Sequence, residues 1–232
     1  MEYKNLNGGK ASDKIAVYNC DCMDLLKQTP DNYYELSIVD PPYGIDIGND
    51  ARNGLMMKTA AAKRKDYKKK DWDKGVPTDI YFKELMRVSK HQIIWGVNYY
   101  PYNFLCGGRI YWDKCTAKGY TNSDGELAFC SKINSIKSIS IMWSGMLQHD
   151  MKNKEVRIHP TQKPVKLYEW LLMTYAKEGD KIVDTHRGSA SLDIACHNLN
   201  FDLVTCELDT DYFNDGNKRL KQHQQQLKMF QS

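Results

Sequence analysis

A chain of 232 residues, 41% of them hydrophobic, has enough apolar material for one sizeable core, and its length suggests a single α/β domain. It contains no apolar run of eighteen residues and no charged-then-apolar leader, so the chain reads as soluble and not secreted, and a cytoplasmic location is expected. The net charge of +4 is local: residues 58–74 hold eight basic and three acidic side chains, which leaves the rest of the chain near neutral.

In chain order, residues 1–13 are polar, contain Gly8-Gly9 and are expected to fray. Residues 14–18 read as a strand ending at Asn19-Cys20-Asp21, with a helix over 23–27 for which Asp21 is a suitable N-cap. Seven cysteines form no C-x-x-C pair, and Cys20 and Cys22 are too close for a usual zinc knuckle. Reduced, mostly buried thiols and no metal are therefore expected. After a turn at Pro30-Asp31-Asn32 comes Leu36-Ser37-Ile38-Val39, a buried strand that stops at Asp40-Pro41-Pro42-Tyr43-Gly44.

Asp40 is thus a carboxylate at the carboxyl end of a strand, where open parallel sheets bind ligands. Pro41 and Pro42 lack an amide hydrogen and have fixed φ, so their carbonyls are held stiffly. Tyr43 adds a flat ring. An acceptor carboxylate, a rigid carbonyl and a stacking face together suit a planar group bearing an amine; an ordinary strand exit with a capping Asp is the plainer alternative.

Residues 46–75 lack an apolar stripe and read as a mobile basic loop carrying Lys63, Arg64, Lys65, Lys68, Lys69 and Lys70. A lysine run is usually a solvated surface. Directly after the Asp40 loop, however, it would meet phosphates around an extruded base, and Trp72 could stack or wedge there. Residues 80–89, with Ile80, Phe82, Leu85, Met86 and Val88, read as a core-facing helix. Strands follow over 91–97, 109–113, 126–130 and 136–143, the last suggesting that this side of the sheet is antiparallel. Residues 114–125 form a second candidate recognition loop, and Tyr99, Tyr100 and Tyr120 are aromatic candidates for base contact.

Two prolines bracket a polar quartet in His159-Pro160-Thr161-Gln162-Lys163-Pro164, ahead of a helix over 165–176. A pinned hydroxyl, amide and ammonium would suit a zwitterionic amino acid. Residues 179–184 form a turn into a buried strand, and Asp184-Thr185-His186-Arg187-Gly188-Ser189-Ala190 links it to a helix over 191–198. Strand, small-residue loop and helix is the geometry that brings backbone close to a ligand. Residues 201–206 are the next strand, and Glu207 at its end can accept from both hydroxyls of a ribose. A last helix spans 212–229.

Asp40-Pro41-Pro42-Tyr43, with Asp184-Thr185-His186-Arg187-Gly188-Ser189 far downstream, resembles the amino-group DNA methyltransferases that use S-adenosylmethionine, in the chain order of their circularly permuted β group. The resemblance runs from about residue 14 to about residue 220. It implies a mostly parallel Rossmann-like methyltransferase sheet with helices on both faces and an antiparallel edge. It implies a catalytic block Asp40, Pro41, Pro42 and Tyr43, in which Asp40 and the Pro41 carbonyl accept from the target amine and Tyr43 stacks on the flipped base. Cofactor contacts fall on Asp21 and Cys22 near the adenine, on His159, Thr161 and Lys163 near the methionine end, and on Asp40, Asp184, Thr185, Gly188, Ser189, Ala190 and Glu207.

One departure stands out. The family commonly has a second glycine where this chain has Ala190, which permits the turn if φ is negative but narrows the room for the cofactor. Asp at the first position is more like the adenine-N6 members than the cytosine-N4 ones. Methylation of RNA or of a protein amide, and a non-catalytic DNA-binding subunit with Arg187 and Ala190 as signs of a lost cofactor site, are the rival readings. The connector over 145–157 is short for a target-reading domain, so DNA recognition is expected from the basic loop together with a homodimer.

Overall fold

The computed structural model describes residues 3–47, 70–116, 123–144 and 147–229. Their strands are β1 Asn7–Lys10, β2 Ile15–Asn19, β3 Tyr34–Val39, β4 Ser89–Trp95, β5 Arg109–Asp113, β6 Gly125–Cys130, β7 Ile136–Ser140, β8 Trp143–Ser144, β9 Leu147–Gln148, β10 Lys181–Asp184 and β11 Asp202–Glu207. The helices are α1 Cys22–Gln28, α2 Asp79–Val88, α3 Val165–Tyr175, α4 Ser191–Leu199 and α5 Thr210–Met229.

Nine of these strands form one sheet in the order β1-β2-β11-β10-β3-β4-β6-β5-β7, while β8 and β9 make a separate two-stranded ribbon. The central five, from β2 to β4, are all parallel to their neighbours. In β3, Leu36, Ser37, Ile38 and Val39 are all buried, as expected of a strand covered on both faces. Alternate residues feed two cores: Ile93, Trp95 and Ile182 meet Leu167, Leu171 and Ile194 of α3 and α4, whereas Ile94 and Val183 meet Leu25, Leu26, Phe82 and Leu85 of α1 and α2. The expected α/β sheet with helices on both faces is therefore present.

β3 and β10 lie side by side and parallel. From β10 the chain passes through α4 to β11 on one side, and from β3 through α2 to β4 on the other. Their carboxyl ends consequently flank a topological switch point, where diverging connections leave a crevice.

Four expectations are corrected. From Tyr3 on, the N-terminal segment is built into the fold: β1 pairs antiparallel with β2, and Tyr3 is buried with its hydroxyl bonded to Thr29 Oγ1 (3.0 Å) and to Tyr34 OH. Gly8 marks a close approach, since a Cβ there would lie 2.2 Å from the Val17 carbonyl oxygen. The run 136–143 is not one antiparallel strand; β7 pairs parallel with β5, and Trp143 belongs to the ribbon. On α2 the core face is Tyr81, Phe82, Leu85 and Val88, while Ile80 is exposed, because helical spacing puts Tyr81 and Leu85 on one side. Of the seven free thiols only Cys130, Cys196 and Cys206 are buried; Cys106 is exposed and Cys20, Cys22 and Cys115 are half-buried. Among the described residues no helix is long and apolar enough to cross a membrane.

Candidate active site

Strand β3 ends at Val39 because the two prolines after Asp40 cannot donate to a ladder. The Asp40 side chain emerges from the sheet 17% exposed, between two partners. Tyr43 OH donates to its Oδ1 at 2.5 Å, and Lys163 Nζ lies 2.5 Å from its Oδ2. Lys163, 1% exposed, satisfies its two other hydrogens on Tyr43 OH and Glu126 Oε2, each at 3.0 Å. Glu126 in turn holds Lys114 Nζ at 2.5 Å on its other oxygen. Two carboxylates and two ammonium groups thus form a neutral, hydrogen-bonded cluster, the condition under which buried charge is tolerated.

Burial pushes the Asp40 carboxyl above the usual carboxylate range, outweighing the attraction of Lys163. Glu126 goes the other way, to about 2, since Lys163 and Lys114 together overcome its burial. Burial opposes the charge on Lys163, but Asp40 and Glu126 hold its proton and raise its pKa.

The Tyr43 ring stacks on Tyr99 with centroids 4.9 Å apart and planes 10° from parallel. Gly96, at φ 75°, makes this possible: a Cβ there would come within 2.1 Å of Tyr43 Cε1. Tyr100 donates to the Pro41 carbonyl at 3.0 Å, so one of that oxygen's lone pairs is already used. Behind the loop, the buried Asp73 accepts from the amides of Tyr43 (2.7 Å), Gly44 (2.8 Å) and Ile47 (3.0 Å).

Across the switch point lies the loop after β10. Gly188 sits at φ 51°, and the His159 ring packs 3.8 Å from the position its Cβ would take. Ser191 Oγ, at the start of α4, donates to the Lys163 carbonyl at 2.8 Å, which ties the proline-bracketed loop to the small-residue loop. Glu207 Oε2 accepts from Gly188 N (2.8 Å) and its Oε1 from Asp209 N (2.9 Å). Each oxygen keeps acceptor capacity, so the carboxylate can still receive a pair of hydroxyls. Asp184 accepts from His186 N at 2.9 Å, and burial lifts its pKa well above the ordinary value. Thr185 Oγ1 pairs with Tyr81 OH at 2.6 Å.

The arrangement brings Asp40, Tyr43, His159, Thr161, Lys163, Asp184, Gly188, Ser189 and Glu207 to one end of the sheet, with several roles altered. Lys163 does not join Thr161 as a converging donor pair; its ammonium reaches the Asp40 carboxylate, the nearest acceptor for a buried charge. Thr161 Oγ1 lies 3.0 Å from His159 Nδ1, and burial, aided by Lys163, holds His159 neutral with a pKa of about 3. Asp21 caps α1, accepting from Met23 N at 2.8 Å, and burial pushes the neighbouring Cys22 thiol to about 12.

Ala190 takes the left-handed conformation, φ 60° and ψ 29°, and not the negative φ expected of it. Its methyl packs against α5, 3.3 Å from where a Cβ on Gly216 would be. Arg187 likewise turns inward, to Asp193 (2.9 Å) and the Phe213 carbonyl (3.1 Å), as a buried structural pair.

Of the basic run, Lys63, Arg64, Lys65, Lys68 and Lys69 lie outside the described residues, as does Tyr120. Lys70 is not open to phosphate: it binds Asp209 at 2.5 Å and Asp211 at 3.0 Å and lies over the Tyr212 ring. Trp72 packs on His159, with centroids 5.0 Å apart, where it is not free to act as a wedge.

Sequence reasoning missed Glu126, Asp73 and Gly96, and placed Lys114 only in a loop. The available signal for Glu126 was a charged residue at the head of the otherwise apolar Leu127-Ala128-Phe129-Cys130. Because β6 runs antiparallel to β4, its beginning lies at the carboxyl ends of the parallel strands.

A family model described as DNA methylase matches residues 55–218. Type II methyltransferase M.HpaI of Haemophilus parainfluenzae is 35% identical over 68 residues, which is 29% of this chain and only 22% of that protein. Type II methyltransferase M2.DpnII of Streptococcus pneumoniae is 21% identical over an alignment covering 90% of both chains. In structure, the chain is similar to the cytosine-N4-specific PvuII DNA methyltransferase (TM-score 0.58, 14% identity, 95% and 94% of the two chains). It is also similar to M1.HpyAVI in complex with SAM (TM-score 0.54, 17% identity, 88% and 99% covered). At such identities the likeness is one of fold.

Proposed function

The chain belongs to the DNA methylase family of amino-group methyltransferases, and from that premise we propose that it transfers the methyl group of S-adenosylmethionine to the exocyclic N6 amine of adenine in DNA. The observation that carries this reading is the Asp40 carboxylate at the end of β3, directly across the switch point from the Gly188 loop and Glu207. The order of the two blocks along the chain, Asp40 before Gly188, supports membership of the permuted β group.

The bound cofactor supplies an electrophilic methyl on a sulfonium. Glu207 has acceptor capacity left for ribose hydroxyls, and the Gly188 turn lets backbone approach the ligand. An adenine amine is a poor nucleophile because its lone pair is delocalised into the ring. Asp40 and the second lone pair of the Pro41 carbonyl hold its two hydrogens and favour the pyramidal nitrogen that attacks. A nitrogen that took the methyl from the sulfonium, with the C–S bond broken, would carry one proton to release. Asp40, whose pKa burial raises, is placed to receive it. No cysteine nucleophile is required.

The base must leave the duplex first, at a cost of a few kcal/mol, and the Tyr43–Tyr99 pair offers aromatic faces to receive it. Phosphate contacts are assigned to Lys63, Arg64, Lys65, Lys68 and Lys69, with a second copy of the chain completing DNA recognition. The acid at position 40 favours adenine, whereas cytosine-N4 chemistry would use the same acceptors. Product identity therefore discriminates.

Incubation with methyl-labelled S-adenosylmethionine and DNA, followed by digestion to nucleosides, is expected to yield N6-methyladenine. N4-methylcytosine would move the assignment to the other base, and no labelled nucleoside would overturn it. Asp40→Ala removes a charge-assisted hydrogen bond of about 1.5–3 kcal/mol, a loss of roughly 10- to 100-fold in rate at minimum. Methylation by that variant at the unaltered rate would remove Asp40 from the chemistry.

A further inference from the structure

In this structure both Asp40 oxygens already hold a donor: Lys163 lies on one at 2.5 Å and Tyr43 on the other at 2.5 Å. A lone pair remains on each oxygen, but a carboxylate whose charge is shared with an ammonium at 2.5 Å is a weak acceptor, so an incoming amine is held best once Lys163 moves away. Releasing Lys163 without a new partner is strongly unfavourable, because its side chain is 1% exposed and a buried ammonium is tolerated only when paired. A second carboxylate is already within reach, since Glu126 Oε2 lies 3.0 Å from the same nitrogen. Glu126 is itself held: Lys114 binds its Oε1 at 2.5 Å, and the adjacent Leu127 carbonyl accepts from Gly96 N at 2.9 Å. Tyr43 OH, 3.1 Å from Glu126 Oε2, can turn its proton from Asp40 to Glu126 as the ammonium moves.

We propose that Glu126 is a positioning residue that takes over the Lys163 ammonium, and the Tyr43 proton with it, so that Asp40 becomes free to accept the target amine. This rests on the reading of Asp40 as the amine acceptor. Lys163 is then an internal counterion that exchanges between two carboxylates. Its titratable surroundings are Asp40 and Tyr43 from the loop after β3, Glu126 and Lys114 from the β6 side, and His159 from its own loop. Tyr100 and Tyr168 stand behind the carboxylates with burial-raised pKa values.

The test is Glu126→Gln, which keeps shape and one acceptor oxygen but removes the charge. With the intact protein, kcat for DNA methylation is expected to fall roughly 10- to 100-fold. KM for S-adenosylmethionine is expected to stay the same, and the alkaline limb of the kcat profile to shift to lower pH, since Lys163 loses one of the two carboxylates that hold its proton. Glu126→Asp, which restores the charge, should recover part of kcat. Unaltered kcat and pH profile in Glu126→Gln would overturn the proposal, as would a loss confined to KM for the cofactor.

Should the amide variant fail to fold, the unaltered protein bound to S-adenosylhomocysteine and a DNA duplex containing its target decides. Lys163 Nζ is expected within hydrogen-bond distance of Glu126 and beyond it from Asp40; an ammonium still on Asp40 with the amine seated would refute the exchange. Absence of methylation by the unaltered protein would instead remove the underlying functional reading.

Discussion

Ala190 shows how a single residue can carry strain without disturbing the site beside it. At φ 60° an L-residue is disfavoured by about 1–2 kcal/mol. Its fully buried methyl, packed toward Gly216 on α5, returns about 0.8 kcal/mol. The two effects nearly cancel, so Ala190→Gly should gain no more than about 1 kcal/mol, read as a small rise in the urea midpoint. Affinity for S-adenosylmethionine should be unchanged, because the methyl packs against α5. A large gain in affinity would show that alanine does crowd the cofactor. Arg187 follows the same logic: it contacts Asp193 of α4 and the Phe213 carbonyl of α5, so packing between the loop and the helices behind it accounts for both oddities.

At the scale of elements, the loop after β3 owes its shape to a residue thirty positions away. Asp73 gathers the amides of Tyr43, Gly44 and Ile47 on one buried carboxylate, and its own carbonyl accepts from Asp46 N at 2.9 Å. The neighbouring Trp72 packs on His159, and Lys70 is clamped to Asp209. Residues 70–73 thus strap together the Asp40 loop, the proline-bracketed loop and the start of α5. Asp73→Ala leaves three amides without their acceptor, for which a loss of about 1–3 kcal/mol is expected, together with a fall in kcat as Tyr43 loses its fixed position. Asp73→Asn, which keeps one acceptor oxygen, should lie between. A variant with native melting temperature and native kcat would show that the strap does not order the loop.

At the scale of the molecule, a parallel sheet with its switch point between β3 and β10 gathers the proposed cofactor-side groups at one end. Filling that end should stabilise the whole domain: at a hundredfold excess over Kd, S-adenosylmethionine contributes about 2.7 kcal/mol. For a chain of this size that raises Tm by about 5–10 °C, measurable by calorimetry, and the shift should vanish when the cofactor is withdrawn. Much of this was legible in the sequence. The strand that stops on Pro41 and Pro42, the string from His159 to Pro164 and the turn at Gly188 were each visible, because local chemistry alone dictates where a ladder must end or a backbone must turn. What only the tertiary structure decided was which side chains meet. Glu126 reaches Lys163 because β6 reverses direction in the sheet, Asp73 reaches Tyr43 across an intervening loop, and Lys163 serves Asp40 because a buried carboxylate requires a counterion. Such pairings depend on strand order and on the electrostatics of burial, neither of which leaves a periodic trace along the chain.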